Sequence, residues 1–174
     1  MVTLAFVVFG GPGILIVYVP AWITRWQIPP GSWPLRAIAC ILFAVGLLPL
    51  GESIARFFWA GQGTASPSHP TEVLVATGFY RYVRNPMYIG VLVLIAGQCV
   101  LFRSESLWIY LGIVTVGFEL FVLFYEEPTL RKKYGASYEE YCRNVRRWIP
   151  RLKAYREPRE SPTPSAHPPR ARTP

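Results

Sequence analysis

"PMYIGVLVLIAGQCVLFRSESLWIYLGIVTVGFELFVLFYEEP", residues 86–128, contains two apolar runs, 86–102 and 107–125, separated only by the four residues 103–106. A run this long and this apolar is a helix, because lipid offers an unpaired backbone no other partner. So short a connection makes the pair an antiparallel hairpin. At about 1.5 Å per residue each arm crosses most of a bilayer, and the chain returns to the leaflet it left. The start of the first arm is then a neighbour of the end of the second. Asn85, Pro86 and Tyr88 are expected beside Glu126 and Glu127, although some forty residues separate them.

The first arm is entered through "RYVRNPMYIG", residues 81–90. A plain anchor needs one or two interfacial charges, whereas this doorway carries two arginines, two tyrosines and an Asn-Pro pair. Together with the two glutamates it makes a rim of aromatic, amide, guanidinium and carboxylate groups, suited to a polar cofactor that works on a lipid-borne partner. A plainer reading stands beside it: Arg81 and Arg84 contact phosphates, Tyr80 and Tyr82 belong to an aromatic belt, and Glu126 pairs with Arg131 one turn on. Glu119 lies seven residues before Glu126 on the same face, about 10 Å deeper. An ionisable group at that depth is costly and marks a candidate substrate site or a protonated structural glutamate. Glu52 and Arg56, at i and i+4, read as a mutually neutralising pair.

Two further runs, 4–23 and 35–59, are long enough to span. The fold expected is all-α, an integral membrane bundle of about four transmembrane helices. The first run lacks a basic leader and reads as a membrane helix, not a signal peptide. Charge divides the chain sharply: residues 129–174 hold 12 Lys+Arg and 4 Glu, residues 1–128 hold 6 and 6, so the whole +8 lies C-terminal. A basic end after a membrane span faces the cytoplasm, which places the site's mouth there too and argues against nucleic acid as a partner, since no nucleic-acid-binding motif accompanies it. Arg25 and Arg36 in the first loop pull the other way. Cys40, Cys99 and Cys142 have no metal or disulfide spacing, and His69 and His167 sit in Pro/Ser-rich stretches.

Beyond the last span, Pro128 should kink or restart the helix and Gly135 should stop it. "SYEE", 137–140, has the capping-box pattern. Tyr138, Tyr141, Val145 and Trp148 then follow at spacings of three, four and three, opposite Arg143, Arg146 and Arg147. This predicts a C-terminal amphipathic helix, on the membrane or over the site. The organisation expected is 1–60 N-terminal membrane helices, 61–150 the functional region, and 151–174 a Pro-rich basic tail without a core.

"LVATGFYRYVRNPMYIG" (74–90), the Glu126-Glu127 pair and "LRKKYGASYEEYCRNVRRWIP" (130–150) resemble, in order and spacing, the catalytic region of the isoprenylcysteine carboxyl methyltransferase and phospholipid methyltransferase superfamily. The resemblance covers residues 72–150. It implies a membrane-embedded methyltransferase that uses S-adenosylmethionine without a Rossmann domain, and no GxGxxG occurs here. By that likeness Glu72, Val75, Tyr80, the tetrad Asn85-Pro86-Met87-Tyr88, and Glu126 hold the cofactor, while a lipophilic acceptor approaches near Glu119 and Val122. Two positions depart from the eukaryotic pattern. Asn85 stands where histidine usually begins the tetrad and cannot titrate. Val122 stands where a substrate-contacting arginine is expected, so a carboxylate acceptor loses that partner. A sterol-reductase-like enzyme using NADPH and a non-catalytic membrane protein are the alternatives.

Overall fold

A computed structural model describes residues 11–30, 33–62 and 77–155, with the side chains of 56–62 outside that description. Helix α1 is Gly11–Thr24, containing a π-helical turn at Ile14–Tyr18. Helix α2 is Trp33–Gln62, and a 3₁₀ turn at Gly78–Arg81 precedes α3, Pro86–Phe102. Helix α4, Glu105–Phe121, continues through a π turn, Val122–Glu126, into α5, Glu127–Asn144. Among the described residues the protein is all-helical. Trp33–Ala55 and Glu105–Asn144 are long and apolar enough to cross a membrane; Gly11–Thr24 and Pro86–Phe102 are shorter apolar helices. Of the run 4–23, residues 4–10 lie outside the described part. Ile38, Ile41, Leu47 and Leu48 on α2 and Ile109, Ile113, Val116 and Leu120 on α4 are exposed, an outer surface that suits lipid and not water.

The hairpin expected from the sequence is present. Arg103 ends α3 in the left-handed region (φ 52°), its N–H closing on the Cys99 carbonyl at 3.0 Å, and α4 starts two residues later. Leu107 and Val114 of α4 pack with Val91, Ile95 and Cys99 of α3. The tightest interface joins α2 to α3, where two glycines face each other. A Cβ on Gly90 would stand 2.8 Å from the Gly46 carbonyl oxygen, and one on Gly46 would stand 2.9 Å from that of Gly90. Such close backbone approach supplies dispersion energy to the pair, the contribution that matters most where the surrounding solvent is itself apolar. Helix α1 docks through its π turn, whose carbonyls accept from α3 and α4: Gln98 Nε2 donates to Ile16 at 2.7 Å and the Tyr110 hydroxyl to Leu15 at 3.0 Å. A π turn frees carbonyls from the α ladder, and buried side chains find them here.

Pro128 falls in the first turn of α5, where its missing N–H is not needed. Gly135 (φ 51°, ψ −126°) breaks the helix, which then resumes. The expected amphipathic helix does not run on to residue 150. It stops at Asn144, Val145 is extended, and residues 145–155 form a strap paired with the 81–84 segment: Arg84 N–H to the Arg146 carbonyl, Arg151 N–H to that of Tyr82, and Tyr155 N–H to that of Arg81, each at 2.9 Å. Ile149 precedes a proline, which disfavours helix, and the strap's backbone finds partners in the loop instead.

Gly90→Ala should destabilise the protein in detergent by about 1–3 kcal/mol, because the Gly46 backbone cannot move aside. Gly112→Ala, whose Cβ meets nothing within 4 Å, should be neutral or mildly stabilising. Thermal unfolding of the two variants checks the pair.

Candidate functional site

The site forms where the 3₁₀ turn, the start of α3, the α4–α5 junction and the strap converge. Asn85 takes the N-cap position and Pro86 the first turn of α3, both buried. The Asn85 side chain does not cap the helix; its amide makes a long 3.4 Å contact to the Arg147 carbonyl. Met87 packs on the hairpin core. Tyr88, one turn into α3, stacks on Phe118 of α4 (centroids 4.6 Å apart) and donates its hydroxyl to Glu126 Oε2 at 3.0 Å. The two ends of the hairpin therefore meet as their spacing predicts. Glu126 takes Tyr88 as its partner and not Arg131. Tyr80 is bound through its carbonyl, which accepts from the Tyr141 hydroxyl at 2.7 Å.

The neighbouring Glu127, expected in the rim without a role of its own, is the centre of the charge network. It is 6% exposed. Its Oε1 accepts from Arg84 Nη1 at 2.9 Å and from Arg147 Nε at 2.8 Å, and its Oε2 from Arg147 Nη2 at 3.1 Å. Arg147 also gives Nη1 to Glu119 Oε1 at 2.6 Å, and the Trp148 indole donates to Glu119 Oε2. Hydrogen bonding to Glu127, followed by the nearby charges, holds the Arg147 guanidinium above its usual range against the opposing effect of burial. Arg84 completes the cluster with a 3.1 Å contact to Cys142 Sγ.

Glu119, expected deep in the span, is thus occupied by the strap, its side chain 40% exposed. Val122 is 1% exposed, packed inside the π turn, and offers a ligand nothing polar. Glu52 accepts from the Phe79 N–H at 3.1 Å; the Arg56 side chain, Glu72 and Val75 lie outside the described residues. Arg147 and Trp148 had been placed on opposite faces of a helix, which hid their shared target.

Two clefts flank this segment. A polar one of about 330 Å³ is lined by Arg84, Glu127, Arg131, Glu139, Cys142 and Arg147. An almost wholly apolar one of about 470 Å³ lies between α2 and α3, lined by Val45, Leu48, Val83, Pro86, Val93 and Pro150. Consecutive residues Val83 and Arg84 face the two, so one stretch of chain separates an apolar compartment from a charged one.

Residues 35–137 match the phospholipid methyltransferase family. The chain belongs to that family. The matched span holds the hairpin, the Asn85 tetrad and both glutamates, while the strap with Arg147 and Trp148 lies beyond it. The chain is also 31% identical over 113 residues to a protein-S-isoprenylcysteine O-methyltransferase of Schizosaccharomyces pombe, a match covering 62% of this chain and 48% of that one. The chain thus spans about half the length of this relative. No solved structure gives a significant match. In this member of the phospholipid methyltransferase family, removing Glu127 leaves two guanidiniums facing a buried site. Glu127→Ala should cost roughly 3 kcal/mol. Glu119→Ala, at a half-exposed pair, should cost less than about 1 kcal/mol. The Arg84→Ala/Glu127→Ala double variant should be far less damaging than the sum of its singles, as a thermal double-mutant cycle would measure.

Proposed function

We propose that the protein is an integral membrane methyltransferase that takes its methyl group from S-adenosylmethionine and passes it to a lipophilic or isoprenyl-like acceptor, by carboxyl O-methylation or a related transfer. The four apolar helices span the bilayer, with the site and the basic C-terminal end in the cytoplasm. Family membership and the relative's activity support this reading, and the observation that carries it is the Tyr88–Glu126 hydrogen bond, which joins the tetrad to the glutamate across the hairpin.

Glu72, Val75, Tyr80, Asn85, Pro86, Met87, Tyr88 and Glu126 would hold the cofactor. The unused valences at the mouth suit a ligand that carries an ammonium, a carboxylate and ribose hydroxyls. Glu126 Oε1 receives no hydrogen bond among the described residues, and Arg84 Nε is buried without a partner. When bound, the cofactor supplies an already activated sulfonium methyl. The protein's share is alignment and exclusion of water, and alignment of this kind supplies roughly 7–11 kcal/mol. No nucleophile or strong base is required of Asn85, which is consistent with asparagine at that position. The strap, with Trp148 and Arg147 laid over Glu119 and Glu127, closes the aqueous side. The apolar cleft beside Pro86 leaves the lipid side open to an acceptor. Neither Val122 nor an already twice-paired Arg147 is free to receive an acceptor carboxylate.

Purified protein should bind S-adenosylhomocysteine by calorimetry and give no heat with NADPH. Tyr88→Phe keeps the ring stack and should weaken binding about tenfold, and Glu126→Ala should weaken it at least tenfold to a hundredfold, the worth of a charged hydrogen bond. Unchanged binding in both variants would overturn the site.

A further inference from the structure

The strap has two faces, and among the described residues only one is used by the fold. Its inner face is fixed by the three backbone hydrogen bonds to residues 81–84, by buried Val145 and Tyr155, and by the Arg81 Nε bond to the Tyr155 carbonyl at 2.7 Å. With the backbone held, the outer side chains are presented in a set arrangement. Ile149 is 61% exposed and Leu152 101%. On either side of them stand Arg146 and Lys153, both exposed and without an ion pair among the described residues. From Tyr141 to Tyr155 the sequence contains no acidic residue. Apolar prongs set among uncompensated cations are what an anionic bilayer surface takes up: hydrocarbon into the acyl boundary, cations onto phosphates.

The strap also lies at the right depth. Pro150, between Ile149 and Leu152, lines the same apolar cleft as Val45, Leu48 and Val93 of the membrane helices. Ile149 and Leu152 therefore leave the protein at the edge of the lipid-facing surface, and an acidic protein partner would have to displace lipid to reach them. We propose that the outer face of residues 146–153 is a docking surface for anionic phospholipid headgroups of the membrane in which the helices sit. Because the same strap carries Arg147 and Trp148 to Glu127 and Glu119, lipid charge then bears on how firmly the mouth is closed.

The test uses the full chain in nanodiscs of phosphatidylcholine alone or mixed with phosphatidylglycerol, with a photoreactive benzophenone amino acid replacing Leu152. Lipid adducts, read by mass, should be several-fold more abundant in the mixed discs. Arg146→Gln/Lys153→Gln should reduce that excess by roughly fivefold per cation. High salt, which needs no substitution, should lower the adduct yield in mixed discs and leave the neutral discs unchanged. Equal adduct yields in the two compositions, or capture of a second copy of the chain in place of lipid, would overturn the proposal. None of these readouts requires turnover, so their failure leaves the methyltransferase reading where it stands.

Discussion

One buried carboxylate ties the mouth of the hairpin together. Glu127 sits at the α4–α5 junction and accepts from Arg84, which precedes α3, and from Arg147, on the strap. Three segments far apart in sequence are thereby fixed to one point. A charge so placed costs several kcal/mol to desolvate and is tolerable only with its partners in position. The pairing therefore gives register more than raw stability: a slip of α5 by one residue would leave two guanidiniums and a carboxylate unmatched. The π turn at Val122–Glu126 matters here, because the extra residue it admits changes the direction in which the two glutamates project. Glu126 meets Tyr88 and Glu127 meets the arginines.

Below that point the structure depends on close backbone approach. The contact of Gly46 with Gly90 lets α2 lie against α3, and so sets the width of the apolar cleft that ends at Pro86. The charged mouth and the apolar cleft are consequences of two different forces acting on the same helix, electrostatic pairing at its N-terminal end and dispersion along its length. Val83 and Arg84 are the adjacent residues at which one regime gives way to the other.

The hairpin was legible because length and hydrophobicity decide it. Residues 86–102 are a helix to the residue, and the meeting of Tyr88 with Glu126 follows from the connection being short. The strap was not legible. Tyr138, Tyr141, Val145 and Trp148 have helical spacing, yet the last two lie beyond the helix, since backbone pairing with residues 81–84 competes with continuing it and a local pattern carries no record of a partner sixty residues away. The division of labour between Glu126 and Glu127 was hidden for a related reason: of two adjacent acids, nothing in the sequence says which meets the arginines when a π turn intervenes. Val122 is buried in the π turn, a position that valine suits.

The charges gathered at the mouth constrain what it can hold. Glu119 and Glu127 are met by Arg84 and Arg147, whereas Glu126 has Tyr88 and no ion pair among the described residues. On the proposed reading, the sulfonium cofactor would bring one net positive charge to the side of Glu126 and favour its ionised form. Methyl transfer removes the sulfonium charge, so the spent cofactor leaves behind one uncompensated carboxylate and is held less firmly. An acceptor bearing its own negative charge would add an unmatched charge at the moment of transfer, with Val122 unable to answer it and Arg147 already shared. On the proposed reading, an acceptor carboxylate would therefore need its charge met by a group outside residues 77–155, whereas a neutral reacting end would need no such partner.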